Sequence, residues 1–128
     1  MKKVIMLAAA LLVALAVQAG PYPEITIDQL KTAITAKQVT LLDVNGSQSW
    51  MAGHIPGAID YRAKQADLAK VLPENKNALI VAYCGGPTCG AYAKAAKAAK
   101  DLGYTNVKHL VAGISGWKAA GEKTDTGG

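Results

Sequence analysis

Residues 78–83 read Ala-Leu-Ile-Val-Ala-Tyr and run straight into Cys-Gly-Gly-Pro-Thr-Cys-Gly at 84–90, then into an alanine-rich stretch at 91–102. No other segment constrains the fold as much. An unbroken apolar run ending at a glycine-rich loop fits a strand buried on both faces, as at the centre of a parallel sheet. Residues 91–102 have high helix propensity and stop at Gly103. A strand that feeds a helix in this way calls for an α/β fold.

The rest of the chain repeats the alternation. Ile25 and Ile27 alternate with polar residues and predict a short first strand. Asp28 is placed to cap a helix carrying Leu30, Ala33 and Ile34. Val39–Val44 reads as a second buried strand, Ser47–Ala52 as a short helix, and Ala58-Ile59 as a very short strand. Between the last two, Gly53-His54-Ile55-Pro56-Gly57 is a turn. Ala66–Val71 predicts a helix that stops before Pro73, Val107–Leu110 a strand, and Gly113–Ala120 a last helical turn. Residues 122–128 are polar and end in Gly-Gly, so they are expected to fray. One domain, residues 24–121, is expected, with strands and helices alternating around a parallel sheet covered on both faces.

Composition has to be read in two parts. Hydrophobic residues make up 51% of the 128-residue chain, but 16 of the first 20 residues are hydrophobic. The remainder is ordinary for a globular domain. Met1-Lys2-Lys3 is a short basic start, Val4–Val17 carries no polar group, and Val17-Gln18-Ala19 places small residues at −3 and −1 of a cleavage site. This is the pattern of a secretory signal peptide at residues 1–19. As a helix the apolar run would span roughly 21 Å, short of a ~30 Å bilayer core, which speaks against an anchor. The expected mature protein is secreted, in the style of a bacterial periplasmic protein, with no membrane attachment after cleavage. Two of the five net positive charges belong to Lys2 and Lys3. What is left argues against nucleic acid as a partner, as does the scarcity of aromatic residues. Two cysteines are too few for a disulfide scaffold.

In open parallel sheets, sites form beyond the carboxyl ends of strands. Asp43 and Cys84 both stand at such ends. Cys84 ends a strand, begins a glycine-rich loop and precedes a helix, a geometry that gathers backbone N–H groups and a positive helix end at one point. That point favours an anion, lowers a thiol's pKa and raises its reactivity. Gly85, Gly86 and Gly90 allow the loop its curvature, and Pro87 stiffens it.

Four segments in order carry a family resemblance: Leu41-Leu42-Asp43-Val44, Gly53-His54-Ile55-Pro56-Gly57-Ala58, Tyr83-Cys84 with its loop, and Gly113-Ile114-Ser115-Gly116-Trp117. From about Ile25 to Gly121 the chain resembles single-domain rhodaneses, a sulfurtransferase family. The resemblance implies a five-stranded parallel sheet flanked by helices on both faces. It also implies that Cys84 accepts sulfane sulfur as a persulfide and passes it to a nucleophile. In that reading Gly85, Gly86, Pro87, Thr88, Cys89 and Gly90 cradle the sulfur with backbone N–H groups. The chain departs from the family in two places. Thiosulfate-using rhodaneses often have arginine where Cys89 stands, and family members often have arginine where Asn45 stands. The one arginine, Arg62, lies outside the loop. Arg62 or Lys64 is a candidate to supply the missing charge. Polysulfide or a protein persulfide then becomes a more plausible donor than thiosulfate, with a thiol or cyanide as acceptor.

Cys84 and Cys89 form C-x4-C, which is neither a thioredoxin motif nor a zinc pattern, so no metal and no cofactor is expected. Three readings of Cys89 stay open: it resolves Cys84 by forming a disulfide, it shares the sulfur, or it fills space. Gly90 stands where a cysteine phosphatase of the C-x5-R type needs arginine, which rejects that chemistry. Asp43 is expected to hydrogen-bond loop backbone, His54 to brace its turn, and His109 to be a half-exposed structural residue. Trp117 is expected in the core and Trp50 at the site entrance. Lys94, Lys97 and Lys100 read as a solvated face, with docking of an acidic partner protein as the alternative. The leading function is thus an exported monomeric sulfurtransferase. Its rivals are a thiol–disulfide redox protein or sensor using Cys84–Cys89, and a non-enzymatic persulfide carrier.

Overall fold

The computed structural model describes residues 21–128. The signal segment expected at residues 1–19 lies outside the described residues. Helix α1 (Ile27–Thr35) leads into strand β1 (Thr40–Asp43), then α2 (Ser47–Ala52), β2 (Ile59–Asp60) and α3 (Tyr61–Lys64). A 3-10 turn (Gln65–Asp67) joins α3 to α4 (Leu68–Val71). Then follow β3 (Ile80–Tyr83), α5 (Tyr92–Asp101), β4 (Val107–His109) and α6 (Gly113–Ala119). The strands form a four-stranded sheet in the order β2-β1-β3-β4, and every pairing is parallel. As its apolar run requires, β3 is interior and fully buried.

Side chains alternate across the sheet with the period of two that a strand imposes. Leu42, Ile80, Ala82 and Cys84 pack with Ala95, Ala96 and Ala99 of α5. Leu41, Val81 and Tyr83 pack on the opposite face with Leu30 of α1 and Trp117 of α6. The small alanines let α5 lie close against the sheet. Among the described residues no helix is long and apolar enough to cross a membrane.

Three expectations are corrected. The sheet has four strands, not five: the expected first strand is reduced to one parallel bridge between Glu24 and His109. Thr26 explains why. Its hydroxyl accepts the Gln29 N–H at 3.0 Å, and the Gln29 side chain accepts the Thr26 N–H at 3.0 Å. This capping box starts α1 at Ile27 and leaves too little extended chain to pair. Asp28 therefore sits in the first turn instead of capping it.

The helix expected at Ala66–Val71 is broken into a 3-10 turn and α4. The sequence reading also missed α3, whose first turn is capped by the Asp60 carboxylate accepting the Ala63 N–H.

The tail is hydrogen-bonded to the His54 turn and to α6. His54 and Asp125 exchange two backbone hydrogen bonds at 2.9 Å, and the Gly127 N–H donates to the Met51 carbonyl. The Trp117 indole donates to the Lys123 carbonyl at 2.7 Å. Strand-like pairing with the His54 turn accounts for the docking of a segment whose composition is that of a loop.

Candidate active site

Cys84 follows β3 directly and is 2% exposed. The loop after it curls through a turn in which the Cys89 N–H donates to the Gly86 carbonyl at 3.1 Å. Pro87 occupies the second position of that turn, where its fixed φ suits it. The curl brings the Cα atoms of Cys84 and Cys89 to 6.3 Å, and a disulfide joins the two side chains. Pro87, Thr88 and Gly90 are exposed, while Gly85, Gly86 and Cys89 are half-buried. The backbone N–H groups of Gly85, Gly86, Thr88 and Gly90 donate to no acceptor among the described residues. Unsatisfied donors within one short loop that begins at a cysteine are available to an anion.

The loop is held from beneath by α6. Ile114 N–H donates to the Cys84 carbonyl and Ser115 N–H to the Gly85 carbonyl, both at 2.9 Å. Gly113 makes this approach possible. Its φ is +62°, and a Cβ there would stand 2.6 Å from Gly85 C and Gly86 N and 2.7 Å from the Cys84 oxygen. Only glycine fits both the backbone angle and the gap.

Asp43 lies next to Tyr83 in the β1–β3 register. The Tyr83 hydroxyl donates to one Asp43 oxygen at 2.7 Å, and the Asn45 N–H donates to the other at 2.8 Å. The Tyr83 oxygen in turn accepts the Ile55 N–H at 3.1 Å. Burial pushes the Asp43 carboxyl above its ordinary range, opposed by the hydrogen bonds from Tyr83 and Asn45. Burial, and then the neighbouring Asp43 charge, raise the Tyr83 phenol. Asp43 is thus a brace that ties β1 and the His54 turn to the end of β3. It does bond loop backbone as expected, at Asn45. Nothing in the sequence marked Tyr83 as its partner except adjacency to Cys84.

His54 braces its turn: its Nδ1 lies 2.6 Å from the Trp50 carbonyl. Trp50 stacks on His54 with ring centroids 4.1 Å apart and donates to the Ala58 carbonyl at 2.9 Å. Trp50 therefore belongs to the turn and not to the site entrance. Trp117 is in the core. His109 is buried, not half-exposed. It stacks on Tyr92 with centroids 3.4 Å apart, and its Nε2 has no hydrogen-bond partner. Burial lowers its pKa, opposed by the charge of Glu24. A strand residue facing an aromatic on the preceding helix leaves no trace in sequence spacing.

Beside the loop is an open cleft of about 360 Å³, lined by Val44, Asn45, Tyr61, Arg62, Ala91 and Lys94, among others. Arg62 therefore shares a cleft with Ala91, the residue that follows the loop, whereas Lys64 is not among the lining residues. Lys94, read from sequence as part of a solvated stripe, faces this cleft. Lys97 of the same stripe is bound to Asp101 at 2.7 Å. Among the described residues no group of three His, Cys, Asp or Glu is placed to hold a metal ion.

Residues 26–120 match the Rhodanese-like domain family. An HTH-type transcriptional regulator of Mycobacterium tuberculosis is 38% identical over 109 residues, covering 84% of this chain and 47% of its own. The chain thus spans about half the length of that curated relative. The solution structure of a rhodanese-like domain from Anabaena sp. superposes with a TM-score of 0.66 at 25% identity, covering 81% of this chain and 79% of its own. The human single-domain sulfurtransferase superposes at 0.58 with 22% identity, covering 77% and 97%. With the cysteine loop, the Asp43–Tyr83 brace and the Gly113 contact in place, the chain belongs to the rhodanese-like domain family.

Proposed function

We propose that this protein is a sulfurtransferase that carries sulfane sulfur as a persulfide on Cys84. The observation that carries this reading is the position of Cys84 at the end of a buried strand, amid backbone N–H groups that have no protein acceptor. The name of the human single-domain sulfurtransferase points the same way. In the reduced protein the Cys84 thiolate attacks the outer sulfur of a polysulfide or persulfide donor. The donor's S–S bond breaks, the donor leaves as a shorter anion, and Cys84 becomes a persulfide. The free N–H groups stabilise the negative charge on the outer sulfur. Cyanide or a thiolate then takes that sulfur, and the electron pair returns to Cys84.

The disulfide favours a second exit for the same intermediate. The Cys89 thiolate attacks the inner sulfur of the Cys84 persulfide and expels hydrosulfide, which leaves Cys84–Cys89 oxidised. A dithiol reductant then restores the pair. A redox or sensing role draws on this same step, and the likeness to a transcriptional regulator gives that role some weight. We also propose that the protein is exported after cleavage behind Ala19, which would place the pair where disulfides persist. The N-terminal mass of the protein recovered from the producing cell tests this.

The functional test is steady-state transfer from polysulfide to cyanide by the reduced protein. Thiocyanate formation is expected from wild type and from Cys89→Ser, and none above background from Cys84→Ala. Sulfide release without an added acceptor is expected from wild type and not from Cys89→Ser. Transfer by Cys84→Ala would overturn the assignment.

A further inference from the structure

The loop has no cation of its own, yet the space beside it has two. Arg62 comes from α3 and Lys94 from the first turn of α5, and both line the same open cleft. Among the described residues the ion pairs join Lys31 to Glu122, Lys70 to Asp67 and Lys97 to Asp101. Arg62 and Lys94 have no acidic partner among the described residues. No aspartate or glutamate lines the cleft, nor the neighbouring hollow formed by Asn45, Gly46, Ser47, Gln48, Ser49 and Arg62. Two unneutralised cations from different elements, facing one cavity with mixed polar and apolar walls, form a site for an anion.

No residue of the loop itself lines the cleft, but two of its lining residues are neighbours of the loop. Ala91 of its wall directly follows Gly90. Asn45 Oδ1, also in its wall, would lie 3.8 Å from a Cβ on Gly85. Gly46, with φ +96°, keeps the chain beside Arg62: a Cβ there would stand 3.8 Å from Arg62 Nη1. A volume of about 360 Å³ leaves room for a carbon skeleton as well as an anionic group.

We propose that this cleft holds the sulfonate or carboxylate end of a small anionic thiol, with Arg62 and Lys94 setting the preference for that acceptor. The proposal rests on the reading of Cys84 as the sulfur-carrying residue. The bound thiolate attacks the outer sulfur of the Cys84 persulfide. That S–S bond breaks, its electron pair returns to the Cys84 sulfur, and the acceptor leaves as its own persulfide. No oxidant or reductant is consumed. Arg62 and Lys94 take no part in bond making. They fix the anion so that the attacking sulfur reaches the loop.

Two matched thiols test this, 2-mercaptoethanesulfonate and 2-mercaptoethanol, as acceptors during steady-state transfer from polysulfide by Cys89→Ser protein, which keeps its persulfide because Cys89 cannot expel it. That protein, the reference for the substitutions below, is expected to show a lower KM for the sulfonate. Arg62→Gln and Lys94→Gln should each raise that KM about fivefold, a typical worth for one exposed charge pair. Both substitutions should affect mercaptoethanol, which offers no anion to either side chain, less than the sulfonate. Lys97→Gln, whose partner is Asp101, should change neither KM. A second arm uses the resting protein and ethanesulfonate, which cannot accept sulfur, followed by amide NMR shifts. Shifts around Arg62 and Lys94 that vanish in the double Gln variant support the cleft even if no sulfur transfer is found, in which case the Cys84 reading alone falls. Sulfur transfer with equal KM for both thiols, in Cys89→Ser and in the variants built on it alike, overturns the cleft and leaves the Cys84 reading standing.

Discussion

On its inner side the Cys84–Gly90 loop rests on Gly113 and on two α6 N–H groups; on its outer side it adjoins a cleft bearing Arg62 and Lys94. The inner wall is buried and its polar groups are satisfied: the Ile55 N–H donates to the Tyr83 oxygen, whose hydroxyl donates to Asp43. The outer wall is exposed and its two cations have no acidic partner among the described residues. The difference separates two tasks. Packing and buried hydrogen bonds fix where the sulfur sits, and unpaired charge at the rim selects what approaches it. Substitutions on the inner wall should therefore cost stability, and those on the outer wall should cost only recognition.

Gly113→Ala should break the inner wall most severely. The added Cβ meets loop backbone at 2.6 Å in a left-handed conformation, so a loss of roughly 3 kcal/mol in urea unfolding is expected, with transfer activity falling in parallel. Tyr83→Phe comes next. It strips the buried Asp43 of one donor and the Ile55 N–H of its acceptor, a loss of about 2 kcal/mol. It also removes a hydrogen bond that holds the Asp43 carboxyl down. A carboxyl raised in the folded state favours folding in acid, and that contribution is lost as pH rises through its folded pKa. The variant should therefore lose more stability than wild type as pH rises from the ordinary aspartate value of 3.8, which urea midpoints across pH will check.

His109→Phe should have a smaller effect, confined to acid. His109 has a lowered pKa in the folded protein. Its contribution is complete above the ordinary value of 6.5 and is lost as pH falls from there toward the folded pKa, because the unfolded chain binds the proton first. Phenylalanine keeps the ring beside Tyr92 and removes the titration, so the acid-side decline in Tm should flatten. Arg62→Gln sits at the other end of the scale. Its stability should stay within about 0.5 kcal/mol of wild type, even though its KM for an anionic thiol rises.

The same division explains what the sequence disclosed. The inner parts of the fold are written in runs of residues: the apolar run into β3, the alanines of α5 and the glycine-rich loop each dictate a backbone locally. Cys84 stood out because its site is made of backbone and chain direction. The losses came where distant segments meet. The fifth strand gave way to the Thr26–Gln29 capping box, a local competitor that the alternation of Ile25 and Ile27 hid. The tail docked through backbone pairing between Asp125 and His54, which residue type does not announce. Lys94 looked like its neighbours Lys97 and Lys100, and only the approach of α3 to α5 distinguishes it. Tyr83 read as one more apolar strand residue until its hydroxyl was placed against Asp43.

Which sulfur atom holds the transferred sulfur decides the function. The direct measurement is a single exposure of the reduced protein to polysulfide, followed by intact mass and peptide mapping of wild type, Cys84→Ala and Cys89→Ser. One added sulfur on the Cys84 peptide of Cys89→Ser, none on Cys84→Ala, and wild type that resolves to a Cys84–Cys89 disulfide with release of sulfide is the predicted result. Sulfur retained on Cys89 of the Cys84→Ala variant and delivered from there to cyanide would contradict it.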